Sequence, residues 1–423
     1  MFEVIDSLKA KLVLSELPGL KTSSVGVFVN AGARYEDNKV KGIAHFLEHM
    51  VFKGSKRYSY RKIKEEIEGR GGILNGFTSQ EITGYYSHCL YYNAPRVLDI
   101  LLDMVLFPVL DSKEIDKERK VILEEIKMHN DLPHVRASSL LDGLLWSNHP
   151  LGKEVIGYFE TVKNIGRSNL CSFKNQFYSP SNIVIICVSN CKKDRIYRVI
   201  REKTKGVSAS LAKVHQRHPS CLNRVNIVVE EKDIDQSHLC IGFRSSSARS
   251  RERFITEIIH IILGANMSSR LFEEIREKRG LCYDISTEVR RFKDSGSFSI
   301  HVGLDSRNII TALDNIFRQL RLIREKEISK KELERAKEYL FGQMLMNVER
   351  ASGRMFYIAD SYLSTGKIYS VEKVKNIVDK IDTLSIREVA EKIFSFDRMC
   401  VSCVLRHKDR FEPKIKRFIH NLL

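Results

Sequence analysis

A chain of 423 residues exceeds one ordinary hydrophobic core and suits two domains of roughly 200 residues each. Hydrophobic residues make up 43% and charged residues 29%, with only 8 Pro and 23 Gly. That composition is globular and excludes fibrous or long disordered architectures, and no apolar run reaches the ~18 residues of a membrane-spanning helix. The formal charge is +17, from 70 basic and 53 acidic residues, but the Lys and Arg are scattered and accompany no nucleic-acid motif, so no specific nucleic-acid partner is expected.

The N-terminus, MFEVIDSLKAKLVLSELPGL, lacks the basic, then apolar, then small-residue order of a secretory signal. Together with nine cysteines, an odd number, this points to free thiols in a reducing, cytoplasmic setting. The segment from Val25 to Ala31 reads as a strand, and Gly42–Lys53 as a helix containing His45-Phe-Leu-Glu48-His49, an H-x-x-E-H pattern. Residues four apart share a helix face, so both imidazoles can reach one ion, while Glu48 lies beside it without being forced to coordinate. The chemistry available to such a set is metal-activated water with a carboxylate as general base. The five-residue pattern also arises by chance, so a third ligand is needed to decide.

Further helices are expected at Tyr60–Arg70, Ala94–Leu106 and Ser112–Asn130, the last capped by Asp111 with Glu114 three residues on. Between the first two, Gly71–Tyr86 is rich in Thr, Tyr and Gly and reads as a strand flanked by turns. On the helix 112–130, Glu118 and Glu125 are two turns apart and share a face with Ile115, Ile122 and Ile126. A solvated face is the commoner fate of glutamate. Burial beside three isoleucines would make unpaired carboxylates costly, and one could then ligate a metal while the other supports it.

Ile183–Val188 is a continuous apolar strand, and residues 203–222 are polar, small and basic and read as a linker. The second half then repeats the element order: a strand near Leu239–Phe243, an apolar helix 254–263, a strand 297–302, and helices 308–325 and 330–350. The expected organisation is α+β: a duplicated unit, with domains at 1–202 and 223–423. Ser269–Arg279 reads as a helix stopped by Gly280 and followed by a strand. The second-half helix carries no H-x-x-E-H, so its His260 is expected to be a packed residue. Cys400 and Cys403, in MCVSCVL, alternate like a buried strand and have no second pair at ligand spacing.

These motifs together resemble the pitrilysin and mitochondrial-processing-peptidase family of zinc metallopeptidases, and most its half-length bacterial branch. The likeness rests on H-x-x-E-H, on Glu125 placed 76 residues beyond His49, on Arg34-Tyr-Glu-Asp, Phe52-Lys-Gly-Ser, Gly71–Thr83 and His149-Pro-Leu-Gly. The resemblance implies two α/β-roll domains and one Zn2+ per chain on His45, His49 and Glu125, with Glu118 supporting and Glu48 as catalytic base. It further implies that Asn75, Phe77 and Thr78 meet peptide substrate on an edge strand, and that Arg276 and Tyr283, seven apart, reach substrate carbonyls or a developing oxyanion. The activity implied is that of a metalloendopeptidase acting on peptides or unfolded segments within a dimeric chamber. A homodimer is expected because both the zinc motif and the Arg/Tyr pair lie in this chain, and a heterodimer with a related subunit is the other arrangement the family uses. Two other classes stay open at this point: a non-catalytic partner subunit, and a nucleic-acid binder suggested by charge alone.

Overall fold

Alternating and continuous apolar runs build two mixed sheets in the computed structural model, which describes residues 2–6, 8–208, 219 and 222–423. The first sheet contains β1 (Phe2–Ile5), β2 (Lys11–Ser15), β3 (Thr22–Val29), β4 (Ile73–Thr78), β5 (Thr83–Leu90) and β6 (Ile183–Val188), in the order β1-β2-β6-β3-β5-β4. The second contains β7 (Asn226–Glu231), β8 (Ser237–Ser245), β9 (Cys282–Arg291), β10 (Gly296–Leu304) and β11 (Cys400–Leu405), in the order β7-β11-β8-β10-β9.

The two orders superpose strand for strand once β1 is set aside. In each sheet the first strand runs parallel to the last (β2 with β6, β7 with β11) and every other pairing is antiparallel. The duplication expected from element order is therefore present in the topology, and β4 and β9 are equivalent edge strands. The segment expected as one strand, 71–86, resolves into all of β4 and the start of β5, because Ser79–Ile82 turns the chain between them.

Two compact units are present: Met1–Lys127 with Lys153–Gln216 and Met346–Ile368, and Met128–Gly152 with Arg217–Leu345 and Tyr369–Leu423. Relative to the expected halves 1–202 and 223–423, one helix has been exchanged in each direction. In the first unit, helix Ala351–Thr365 buries Met355 and Ile358 against Val13, Phe28, Val184 and Ile186 on one face of the sheet. In the second, helix Pro133–Leu145 buries Ala137, Leu141 and Leu145 against Cys240, Cys400 and Val404. Sheets with one apolar stripe per strand need a single covering layer, whereas these strands are apolar on both faces and require two. The expected linker begins inside helix Lys193–Thr204, and most of it (209–218, 220 and 221) lies outside the described residues.

In the first unit, α1 (Ile43–Val51), α2 (Tyr60–Ile67) and α3 (Ala94–Leu106) cover the other sheet face, with Phe46, Leu47, Met50, Leu98 and Leu101 packed on Val25, Val27 and Val29. The helix α4 (Ser112–Asp131) follows, and Asp111 accepts from the backbone N–H of Lys113 and of Glu114 at its start. The N-terminus of α1 has an unusual cap. Gly42 is left-handed (φ 94), and the Glu36 carboxylate accepts from Gly42 N–H at 3.0 Å through Oε2 and from Ala44 N–H at 2.8 Å through Oε1. Buried Lys41 lies 4.0 Å from the same carboxylate, and Arg34, in the same motif, donates to Glu81 at 2.7 Å. Burial pushes the Glu36 carboxyl up to about 7, against the two N–H groups and Lys41, which pull it down.

Both Glu36 oxygens are used as acceptors, and a primary amide offers only one. Glu36→Gln is expected to turn an amide N–H toward a backbone N–H and to lower stability by about 1–3 kcal/mol. Urea unfolding measures this, and an unchanged midpoint would show that the cap is not stabilising.

Candidate metal centre

The sequence of α1 places apolar Ile43, Ala44, Phe46, Leu47 and Met50 in the core and leaves His45 and His49 half-buried on one flank. From α4, buried Ile115, Ile122 and Ile126 fix the opposing face, which brings Glu118 and Glu125 toward α1. His45 Nε2 is 3.9 Å and His49 Nε2 3.7 Å from Glu125 Oε2, and one donor atom from each of the three residues falls within 4.8 Å of the others. Tetrahedral bonds of about 2.0–2.2 Å separate donor atoms by roughly 3.3–3.5 Å. The observed spacings are slightly wider and too long for hydrogen bonds between these groups, so the three donors face a common point. Two imidazoles and a carboxylate are the donor set of a catalytic zinc site with one position left for water.

Around this point the polar groups form a chain. His49 Nδ1 and Glu118 Oε2 are 3.0 Å apart, so the carboxylate fixes Nδ1 as the protonated nitrogen and leaves Nε2 with its lone pair toward Glu125. Lys53 forms an ion pair with the other Glu118 oxygen. Glu48 is buried and accepts from Thr78 Oγ1 at 2.7 Å. Burial raises its carboxyl above the ordinary carboxylate range, the Thr78 hydrogen bond and His49 oppose that, and Glu125 adds to it. Gly76 makes room here: a Cβ would stand 2.9 Å from the Phe52 ring and 3.1 Å from Glu48 Oε1.

The edge strand carries the other residues singled out in the first unit. Among the described residues β4 ends its sheet and pairs only with β5. Asn75 is exposed, with its Oδ1 accepting from Gly76 N–H at 2.8 Å. Phe77 points to the sheet face away from α1, where its ring meets Phe28, Tyr86 and Phe356. Of the three, Thr78 is the one whose side chain touches the centre, through Glu48. Any pairing with an added strand would use the main chain of this segment.

Arg276 and Tyr283 lie in the second unit. The expected helix is a π-helical turn at Phe272–Glu277, ended by Gly280 at φ 56, and β9 follows. The Arg276 guanidinium sits 4.6 Å from the centre of the Phe272 ring and 5.2 Å from that of Tyr283, which is 74% exposed. His260, on the helix Arg253–Leu263 that corresponds to α1, is partly buried with its Nδ1 2.6 Å from Thr287 Oγ1. Cys400 and Cys403 are buried free thiols in β11. Sequence reasoning missed Lys53 and Glu36, although Lys53 stands four residues after His49, the spacing of one helix face.

The duplicated fold and its His–His–Glu centre define a protein with an inverted zincin motif. Residues 11–158 match the family model "Insulinase (Peptidase family M16)", and residues 164–340 match "Peptidase M16 inactive domain". A Bacillus subtilis relative named "uncharacterized zinc protease YmxG" is 31% identical over 391 residues, covering 92% of this chain and 94% of its own. An "uncharacterized zinc protease" of Rickettsia bellii is also 31% identical, over 90% of this chain and 91% of its own. Among solved structures, a protease from Helicobacter pylori shares the fold at a TM-score of 0.89 and 19% identity, covering 96% of this chain and 99% of that one. The chain belongs to peptidase family M16, the insulinase or pitrilysin family.

Lys53→Met removes the cation that holds Glu118 against His49. It is expected to weaken Zn2+ binding about 10–100-fold, the cost of losing an outer-shell partner. Competition with a chromophoric chelator measures the affinity, and an unchanged value would assign the ion pair to packing alone.

Proposed function

We propose that the protein is a zinc-dependent metalloendopeptidase that hydrolyses peptides or unfolded polypeptide segments, with His45, His49 and Glu125 holding one catalytic Zn2+ per chain. The observation that carries this reading is the convergence of three donor atoms within 4.8 Å beside a buried, hydrogen-bonded carboxylate that is not one of them. Zinc held there supplies Lewis acidity and a bound water with a pKa of about 7. Glu48 accepts the proton of the attacking water and returns it to the departing amide nitrogen. Thr78 O–H, bonded to Oε2, holds the Glu48 carboxylate in one orientation for both transfers. Glu118 and Lys53 keep His49 in the tautomer that ligates.

The open side of β4 is the proposed docking line for substrate. An extended peptide added there gains main-chain hydrogen bonds whatever its sequence, which suits a peptidase of broad specificity. Arg276 and Tyr283 are the proposed donors to a substrate carbonyl or the developing oxyanion, a role suited to fixed N–H and O–H groups. The chain's charge of +17 favours neutral or acidic peptides over basic ones. A homodimer enclosing a chamber is the proposed assembly, since the second unit has no H-x-x-E-H of its own and supplies the Arg/Tyr pair. No helix among the described residues is long and apolar enough to cross a membrane, and a cytoplasmic location is proposed from the cysteine content.

Glu48→Gln keeps the size and the Thr78 contact but removes the base. Cleavage of quenched-fluorescent peptides is expected to fall about 10²–10⁴-fold with zinc content unchanged. Full activity in this variant would overturn the assignment of the base. Sedimentation is expected to show a dimer at assay concentration, and an active monomer would remove the chamber from the account.

A further inference from the structure

The second unit holds a histidine cluster that the proposed chemistry does not use. A cavity of about 460 Å3 is lined by His134, at the start of helix Pro133–Leu145, and by His238 on β8, Asp284 on β9 and His301 on β10. The register brings the last three together, because Gly303 of β10 lies opposite both His238 and Asp284. Gly303 leaves that stretch of the face without a side chain, and a Cβ there would make ordinary contact with the His238 ring at 3.5 Å.

The hydrogen bonds fix the tautomers in sequence. Asp284 Oδ2 is 3.2 Å from His301 Nδ1, and an ionised carboxylate can only accept, so that nitrogen carries the proton. His301 Nε2 is then an acceptor, 3.1 Å from His238 Nδ1, which must donate to it. His238 Nε2 is left with its lone pair. A carboxylate and an imidazole lined up behind a ligating histidine are the outer-shell support found in metal sites.

His134 supplies a second ring at a suitable spacing. Metal–nitrogen bonds of about 2.0–2.1 Å place two imidazole centroids roughly 4.5–6.4 Å apart as the angle at the metal opens from about 90° to 180°. The His134 and His238 centroids are 5.9 Å apart, within that range, as are those of His45 and His49 at 4.7 Å. We propose that His134 and His238, backed by His301 and Asp284, bind a borderline transition-metal ion such as Zn2+, Ni2+ or Cu2+ at a second site separate from the H-x-x-E-H centre. Imidazole suits these ions, and solvent completes the coordination. Burial, then His301 and His134, hold the His238 imidazole down at about 4, and burial lowers His301, so both rings are neutral and competent at neutral pH.

The test is a titration of the full-length chain with Ni2+ and with Zn2+, following heat and bound-metal stoichiometry. The His45→Ala/His49→Ala chain, which lacks the first centre, is expected to retain one equivalent. That equivalent should weaken at least 10-fold on adding either His134→Ala or His238→Ala, and about 10–100-fold on adding Asp284→Asn, a change at an exposed residue that leaves both ligands in place. Failure of the His45→Ala/His49→Ala chain to bind a stoichiometric ion, with its circular dichroism unchanged, would overturn the proposal. So would binding indifferent to both His134→Ala and His238→Ala.

Discussion

His45 and His49 lie on one face of a nine-residue helix, and Glu125, 76 residues beyond His49, approaches from another. Holding three such donors around one point while hydrophobic burial packs both helices is the constraint that shapes the first unit. Partly buried polar groups cost free energy unless each has a partner, and the centre meets this with two sets of contacts: Lys53 to Glu118 to His49, and Thr78 to Glu48. The same economy governs the approach of α1, where the amides of Gly42 and Ala44 are met by the Glu36 carboxylate. Gly42 and Gly76 belong to that arrangement. The first adopts a backbone conformation other residues resist, and the second lets Phe52 and Glu48 come close to the edge strand.

Topology distributes the tasks. Each sheet repeats one strand order and ends on an open edge, β4 in the first and β9 in the second. In the first sheet the edge lies beside α1, which carries His45 and His49. In the second, the corresponding helix has His260 bonded to Thr287, and the edge strand carries exposed Tyr283 as its second residue, near Arg276. One ancestral arrangement has thus been kept as scaffold twice, with different side chains at equivalent places. Asp284, adjacent to Tyr283 on the same edge strand, anchors the histidine chain that runs inward through His301 to His238.

Much of this was legible in the sequence because it rests on local periodicity and fixed spacings. The helices at 94–106, 112–131 and 309–325 follow from their apolar repeat, and the pairing of His45 with His49 follows from four-residue spacing on a helix, whereas the choice of Glu125 over Glu118 comes from the family resemblance. What could not be read depends on contacts distant in sequence. Helices Pro133–Leu145 and Ala351–Thr365 have ordinary amphipathic patterns, which say that a face is buried but not against which sheet. The π-helical turn at Phe272–Glu277 has the composition of an α-helix, so residue type alone does not announce it. Lys53 and Glu36 look like surface charges until Glu118 and the α1 amides are placed beside them. His134, His238 and His301 span 168 positions and meet only through strand register and one helix end.

The most direct measurement is anomalous diffraction at the zinc edge from crystals grown with stoichiometric Zn2+. The account predicts a peak about 2.0–2.2 Å from His45 Nε2, His49 Nε2 and Glu125, with the Glu48 carboxylate outside bonding range of the ion. Density placing the ion on Glu48, or no peak between these three residues at full zinc loading, would contradict it.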